Sequence, residues 1–172
     1  MLGQLLERFC YQLLKSKYKC MHEKELKKFI FEASRATYAS GDESIKKKEL
    51  DRSTTITFTS GKYRMHDNYF GGEPYGGREV IFLDNKPIWM LVYYGFVHTD
   101  FPANEVYPFL MEALSNNTED MPYRGPKLFE KGNGKYENKF VGELASFSGT
   151  EKIYKDNVCV YEASYIGGFV DF

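Results

Sequence analysis

The stretch Tyr75–Gly95, YGGREVIFLDNKPIWMLVYYG, recurs without a gap as Phe147–Gly167, FSGTEKIYKDNVCVYEASYIG. Seven positions carry the same residue in both copies: Gly77/Gly149, Glu79/Glu151, Ile81/Ile153, Asp84/Asp156, Asn85/Asn157, Tyr93/Tyr165 and Gly95/Gly167. In each copy two runs suited to strands flank an Asp-Asn pair, and both residues tolerate the left-handed backbone of a two-residue turn. The sequence therefore predicts two duplicated β-hairpins that turn at Asp84-Asn85 and at Asp156-Asn157.

The segments around the hairpins predict an α+β fold. Apolar residues at helical spacing predict helices over Glu23–Thr37 and Glu105–Ser115, and Asn104 is suited to cap the second one. Alternating β-branched residues predict a strand over Thr54–Ser60, and a second strand follows over Tyr63–Phe70. We therefore expect an antiparallel curved sheet or open barrel that contains both hairpins, with two or three helices packed on it.

A chain of 172 residues is expected to form a single domain. Residues 1–22 are expected to form an N-terminal helical arm, and residues 23–172 the α+β body with hairpin repeats near 75–95 and 147–167. Leu2–Leu14 carries apolar residues at helical spacing. This helix is expected to pack on its own domain, to mediate a homodimer or to fray at the terminus.

Composition and charge exclude several classes of partner. A net charge of −1 gives no field of one sign, so neither a nucleic acid nor a membrane is an expected partner. The longest apolar run, Ile88–Val97, is about half the length of a membrane span. Cys10, Cys20 and Cys159 are too few for a disulfide framework and, without a secretory signal, they favour a cytoplasmic location.

The two repeated glutamates are the first candidates for a site. Counting cross-strand pairs outward from the two-residue turns places Glu79 opposite Met90, and Glu151 opposite Glu162. Opposed like charges destabilise a sheet, so the second pair requires a neighbouring cation, a shared proton or a different register. A carboxylate among apolar side chains is costly unless paired. We therefore predict that Glu79 and Glu151 are buried and bonded, either as structural ion pairs or as a site with perturbed pKa values.

The other polar residues favour neither a metal centre nor a nucleophilic enzyme. His22, His66 and His98 lack metal-ligand spacing, and no base is evident for Cys159. Neither the zinc-protease helix motif nor the serine-hydrolase nucleophile elbow occurs in the chain. We therefore expect no metal and no cofactor.

Three segments of the chain together resemble a known family: Ala33–Glu43 (ASRATYASGDE), Asp67–Val80 (DNYFGGEPYGGREV) and Pro87–Gly95 (PIWMLVYYG). They are similar to domain-of-unknown-function family 5680, an uncharacterised prokaryotic family. The resemblance implies a bacterial protein and no particular activity, although relatives fused behind a helix-turn-helix imply a sensory or effector role. The family-like polar and aromatic positions in this sequence are Thr37, Tyr38, Asp67, Tyr69, Glu79, Trp89 and Tyr94.

Three functions remain open at this stage, and whether the protein is an enzyme is uncertain. The first is the binding of an unknown small molecule in an aromatic- and carboxylate-lined cleft. The second is a hydrolase or transferase that uses paired carboxylates, and the third is a protein-interaction module that docks through the N-terminal helix. The candidate ligand-binding residues are Tyr38, Asp67, Tyr69, Glu79, Trp89, Tyr94, Glu151 and Glu162.

Overall fold

The computed structural model describes residues 23–37, 40, 42–98, 100–120 and 123–170. The helix predicted over Leu2–Leu14 lies outside the described residues, as does Tyr38. Within them, a nine-stranded antiparallel sheet carries two α-helices, so the predicted α+β class is confirmed. No helix in this part of the chain is long and apolar enough to cross a membrane.

The described residues form an α-helix, five strands, a second α-helix and four strands in that order. Their bounds are residues 23–36 for α1, Lys47–Lys48 for β1, Thr54–Ser60 for β2, Tyr63–Gly71 for β3, Tyr75–Leu83 for β4, Lys86–Val97 for β5, Ala103–Ser115 for α2, Leu128–Lys131 for β6, Gly134–Glu143 for β7, Ser146–Lys155 for β8 and Val158–Phe169 for β9. The sheet order is β1-β2-β3-β4-β5-β9-β8-β7-β6. Because β5 and β9 pair in the middle while β1 and β6 form the edges, the sheet is open.

The hairpins β4–β5 and β8–β9 turn at the residues that the sequence indicates. Asp84 and Asn85 have φ of 49° and 65°, and Asp156 and Asn157 have the same two values. Left-handed backbone at both central residues matches the right-handed twist of the flanking strands. The turns therefore follow from the Asp-Asn pair that both hairpins contain.

Each hairpin also contains a β-bulge a few residues from its turn, which the sequence analysis did not predict. The extra residue is Ile88 in the first hairpin and Val160 in the second. The pairs that flank the bulges are Ile81–Trp89 and Phe82–Pro87 in the first hairpin, and Ile153–Tyr161 and Tyr154–Cys159 in the second. A single inserted residue exchanges the faces to which all later side chains of the strand point.

The predicted cross-strand partners of the two glutamates are wrong for this reason. Glu79 lies opposite Leu91 instead of Met90. Glu151 lies opposite Ala163, so the predicted pair of opposed glutamates does not form. The bulges turn Trp89 and Tyr93 of β5, and Tyr161 and Tyr165 of β9, toward the face that carries both glutamates.

Both helices pack on that same face. The first core cluster joins α1 to the sheet through Leu26, Phe29, Ile30, Ala33, Ile56, Met65, Ile81, Trp89, Leu91 and Tyr93. The second joins α2 to the sheet through Val106, Leu110, Ala113, Leu114, Tyr136, Ile153, Val160, Tyr161 and Ala163. Tyr75 packs against both clusters, so the two clusters adjoin on one side of the sheet.

One helix cap differs from the prediction. The helix α2 begins at Ala103 behind Pro102, which occupies the N-cap and makes no side-chain capping bond. Asn104 therefore lies inside the helix, which begins two residues earlier than predicted, at Ala103.

We predict that Gly77→Ala destabilises the sheet by about 1–3 kcal/mol, as overpacking does in well-packed cores. An added Cβ at Gly77 would lie 2.5 Å from the carbonyl oxygen of Asn68 and 2.6 Å from Cβ of Tyr69. The matched control is Gly72→Ala, since an added Cβ there meets no atom of the described residues within 4 Å. Urea denaturation of both variants measures the difference. Equal stability of the two variants would contradict the close approach of β3 and β4 at Gly77.

Candidate functional site

Three carboxylates lie on the helix-covered face of the sheet. Asp67 on β3 is the register partner of Glu79 on β4, and Glu151 occupies the corresponding position on β8. Their relative exposures are 0% for Asp67, 6% for Glu79 and 0% for Glu151, which confirms the burial predicted for both glutamates. The Tyr93 hydroxyl donates a hydrogen bond to Asp67 Oδ1 at 2.7 Å. Burying such groups is possible only with compensating polar contacts.

Glu151 receives these contacts from an arginine and a tyrosine. Arg124 donates to Glu151 Oε2 from Nε at 3.1 Å and from Nη2 at 3.0 Å. The hydroxyl of Tyr136 donates to the other carboxylate oxygen at 2.5 Å. The same hydroxyl accepts a hydrogen bond from the backbone N–H of Gly125 at 3.1 Å. The predicted requirement for a cation beside Glu151 is therefore met by Arg124, from the segment between α2 and β6.

Arg124 is itself almost entirely enclosed. Its side chain is 8% exposed, its guanidinium lies 5.4 Å from the centre of the Tyr93 ring, and Nη2 donates to the Tyr75 hydroxyl at 3.3 Å. Burial is the largest single effect and would lower the pKa of Arg124, but Glu151 together with Tyr75 and Tyr161 outweighs burial and holds that pKa well above its usual value. The guanidinium therefore stays charged inside the fold.

The hydroxyls around Arg124 remain protonated. Burial is the main cause that raises the pKa of Tyr75, Tyr136 and Tyr161. The hydroxyls of Tyr75 and Tyr161 lie 2.6 Å apart. Arg124, Glu151 and these three tyrosines form one polar cluster within an otherwise apolar core, which we call the Arg124 cluster.

The Arg124 cluster borders an open cleft of about 420 Å³ between α2, the sheet and the segment that follows α1. The described residues that line the cleft are Thr37, Asp42, Glu43, Lys46, Lys48, Ile56, Tyr69, Gly71, Gly72, Tyr75, Tyr93, Tyr107, Leu110, Met111, Leu114 and Arg124. Clefts of about 300–1,000 Å³ with aromatic walls are typical of small-molecule sites. The floor is aromatic and cationic, whereas Asp42 and Glu43 are exposed.

A second, much smaller cavity of about 20 Å³ lies beside the cleft. Glu79, Trp89 and Arg124 are among its lining residues. This volume accommodates about one water molecule, and the polar lining supplies hydrogen-bonding groups for it. Since Arg124 also lines the cleft, its side chain lies between the buried glutamates and the open space.

The structure separates the predicted site residues into three locations. Tyr69 lines the cleft, and Trp89 is buried and donates from Nε1 to the carbonyl of Leu144 at 3.0 Å. Tyr94 is 55% exposed and points away from the cleft, as alternate residues of β5 do. Glu162, which was expected to face Glu151, lies instead at the surface opposite Lys152.

The residues that dominate the Arg124 cluster and the neighbouring cleft have no distinguishing pattern in the sequence. Arg124 belongs to an irregular, glycine- and proline-rich segment, and its left-handed backbone (φ 66°) has no signature in the residue itself. Tyr75, Tyr107 and Tyr136 are three of fourteen tyrosines, and nothing in composition distinguishes them. The one available signal was the requirement that a buried Glu151 have a cation nearby.

We predict that Glu151→Gln lowers the free energy of unfolding by about 3–5 kcal/mol, because it leaves the enclosed Arg124 without its counter-charge. The matched control is Glu162→Gln, which removes a half-exposed ion pair and is expected to cost at most about 1 kcal/mol. Chemical denaturation of the two variants and the wild type provides the comparison. A control that costs as much as Glu151→Gln would show that the buried pair has no special role in stability.

We further predict that stability falls steeply as the pH rises above about 10, the ordinary pKa of tyrosine. Burial raises the pKa of Tyr123 to about 12 and raises the pKa of Tyr93 and Tyr136 as well. Above the pKa of the unfolded state, the folded state still holds protons that the unfolded state has released. The stabilisation is therefore complete below about pH 10 and is lost as the pH rises from there toward the raised pKa values of the folded state. Denaturant midpoints measured from neutral to alkaline pH test this expectation. Titration of all 14 tyrosines near the ordinary value in the folded protein would contradict it.

Comparison with known proteins identifies the family and no activity. A search of curated proteins finds no match, and a search of solved structures finds none either. The model of a domain of unknown function, DUF5680, matches residues 67–170, which include β4, β5, α2 and all strands of the second half of the sheet. The match covers more than half of the chain and includes Glu79, Arg124 and Glu151. The chain therefore belongs to domain-of-unknown-function family 5680.

Proposed function

We propose that the protein binds a small ring-containing molecule in the cleft beside the Arg124 cluster, and that the bound molecule presents a carboxylate or carbonyl oxygen to Arg124. The observation that carries this proposal is a cleft of about 420 Å³ whose floor combines an enclosed arginine with tyrosine rings. A buried guanidinium is costly to maintain and offers planar, directed donors for an acceptor group.

The donors that face the cleft favour an acceptor on the ligand. Arg124 uses Nε and Nη2 in its contacts with Glu151 and Tyr75, and Nη1 makes no hydrogen bond within the described part of the chain. Lys48 donates to the Thr54 hydroxyl at 2.8 Å and has no carboxylate partner among the described residues. Both groups can therefore donate to a bound molecule without breaking an ion pair.

Aromatic side chains supply the walls for a planar ligand. Tyr75 contacts Tyr93 and Tyr107 with ring centres 6.0 Å and 5.9 Å apart, and all three residues line the cleft. The hydroxyl of Tyr107 donates to Glu73 and to the carbonyl of Gly72, so this ring is held in place. A preorganised aromatic wall lowers the entropy cost of binding. A sensory or effector role is the simplest use for such a site in a chain without an evident catalytic dyad.

The alternative, a hydrolase or transferase that uses paired carboxylates, has less support. Glu151 is engaged by Arg124 and Tyr136, and the described lining of the cleft includes neither Glu79 nor Asp67. The carboxylates that do line the cleft, Asp42 and Glu43, are exposed. Glycoside chemistry requires two carboxyl groups that flank a substrate bond, and the cleft does not place the buried pair there.

We also infer that the two hairpins arose by internal duplication. Tyr93 donates to Asp67, and the repeated Tyr165 donates in the same way to Asn138 at 2.6 Å. In each half the acceptor lies on the strand before the repeated glutamate and is its register partner. Divergence after such a duplication would explain why Arg124 accompanies only Glu151. We also propose a cytoplasmic location, which rests on the sequence alone.

We predict that aromatic carboxylates such as benzoate and its ring-substituted analogues raise the melting temperature, whereas benzylamine does not. A ligand that binds only the folded state shifts the melting temperature by mass action. In the variant Lys48→Glu, about ten times more ligand should be needed for the same shift in melting temperature. The substitution replaces an attraction between Lys48 and the ligand carboxylate by a repulsion. Lys47→Glu is the matched control, since Lys47 is the neighbouring residue of β1 and does not line the cleft.

A steric variant separates binding in the cleft from binding elsewhere. Met111→Trp on α2 fills the cleft and leaves the hydrogen bonds of the Arg124 cluster intact, so it should abolish the ligand-dependent shift. Binding that survives Met111→Trp, or an amine that stabilises the protein as well as the carboxylate does, would refute the proposal.

A further inference from the structure

Three potential metal ligands lie together on the side of the sheet opposite the Arg124 cluster. They are His98, directly after β5, and Cys159 and Glu162 on β9, and their donor atoms all lie within 4.8 Å of one another. The distance from His98 Nε2 to Glu162 Oε1 is 3.3 Å, and the distance from Cys159 Sγ to the same oxygen is 3.7 Å. None of these residues lines the cleft.

The separations fit a tetrahedral zinc site. Bonds of about 2.0–2.2 Å to nitrogen and oxygen and about 2.3 Å to sulfur give tetrahedral edges of about 3.3–3.5 Å between N and O and about 3.5–3.7 Å between S and O. The two observed distances, 3.3 Å and 3.7 Å, lie at these values. The third pair, the His98 imidazole nitrogen and Cys159 Sγ, lies within 4.8 Å.

The bulge in the second hairpin creates this arrangement. In a regular strand, residues three apart point to opposite faces. The extra residue Val160 turns both itself and Tyr161 toward the core, so Cys159 and Glu162 emerge on the same outer face. The backbone N–H of His98 donates to the carbonyl of Val160 at 2.9 Å, which holds the end of β5 beside the bulge.

Two further contacts are typical of a ligand set. Lys152 binds Glu162 Oε2 at 3.0 Å, so the carboxylate is fixed by its outer oxygen while Oε1 faces His98 and Cys159. Ligating carboxylates are usually held by such an outer partner. The Nε2 atom of His98 is shielded from solvent and makes no hydrogen bond to any described residue, although Glu162 Oε1 lies within ion-pair distance. A metal ion between these atoms would satisfy that nitrogen.

We propose that His98, Cys159 and Glu162 bind a divalent transition-metal ion of the zinc class, with a fourth position open to solvent. The combination of thiolate, imidazole and carboxylate selects zinc or cobalt over magnesium and calcium, which prefer oxygen ligands. The side chains of His98 and Glu162 are 37% and 35% exposed, so water can reach the open position. The site has no recognisable spacing in the sequence. His98 directly follows β5, whereas Cys159 and Glu162 belong to β9, and the bulge in β9 brings these two residues to one face.

Titration of the full-length protein with Co²⁺ tests the proposal, since a thiolate ligand gives sulfur-to-cobalt charge-transfer absorption and tetrahedral coordination gives intense visible bands. For this titration the protein is prepared with Cys10→Ser and Cys20→Ser, so that Cys159 is its one thiol. We expect one equivalent of Co²⁺ to produce both bands and Zn²⁺ to displace it. Cys159→Ser should abolish the charge-transfer band, and His98→Gln or Glu162→Gln should weaken binding by at least about tenfold, the loss that even an outer-shell change causes.

The matched control is His66→Gln, which removes a partly exposed histidine of β3 remote from Cys159 and should leave the Co²⁺ spectrum unchanged. Circular dichroism melts verify that each variant is folded. The proposal is overturned if the folded single-thiol protein gives no charge-transfer band. It is equally overturned if His98→Gln and Glu162→Gln bind Co²⁺ as tightly as His66→Gln does.

Discussion

The ion pair between Arg124 and Glu151 is the interaction on which the interior of this protein depends. A carboxylate with no exposed surface and an arginine with 8% exposure are tolerated in the core only because each satisfies the other. This requirement constrains the segment between α2 and β6, because the segment must place Arg124 against Glu151 on the helix-covered face of the sheet. Tyr75 and Tyr136 then complete the hydrogen bonds, and the cleft forms where α2 and this segment leave the sheet uncovered.

The two halves of the sheet solve the same problem with different residues. In the first half of the sheet Asp67 accepts a hydrogen bond from Tyr93, and in the second half Asn138 accepts one from Tyr165. The second half therefore has a side-chain amide where the first half has a carboxyl group. The half with the neutral amide holds Glu151, which is paired with Arg124. In the other half, the acidic group adjoins a second carboxylate, Glu79, across the β3–β4 register. The first half therefore holds two adjoining carboxyl groups, Asp67 and Glu79, whereas the second half holds the ion pair of Glu151 and Arg124.

Local chemistry made the turns and strands predictable, and non-local geometry made the site unpredictable. The Asp-Asn turns follow from backbone preferences of two residues, and the strand Thr54–Ser60 from simple alternation. The predicted cross-strand register was wrong because the bulge at Ile88 depends on packing against other strands. No residue type in the sequence indicates such a bulge. The burial of Glu151 was foreseeable from its apolar neighbours, whereas the identity of its partner depends on a loop that has no periodic pattern.

Stability alone does not explain why such a cluster is retained. Replacement of a buried ion pair by apolar side chains of similar volume is often neutral or stabilising, so the Arg124–Glu151 pair is not the most stable solution for this core. Two features of its surroundings distinguish it from a purely structural pair: Arg124 reaches the cleft, and its Nη1 donors are not used by the described residues. Glu151 and Tyr75 orient the guanidinium in advance, and an oriented donor binds an acceptor with little further loss of entropy. Under the proposed function, the costly interaction preorganises the cleft, and Glu151 is the residue that positions Arg124.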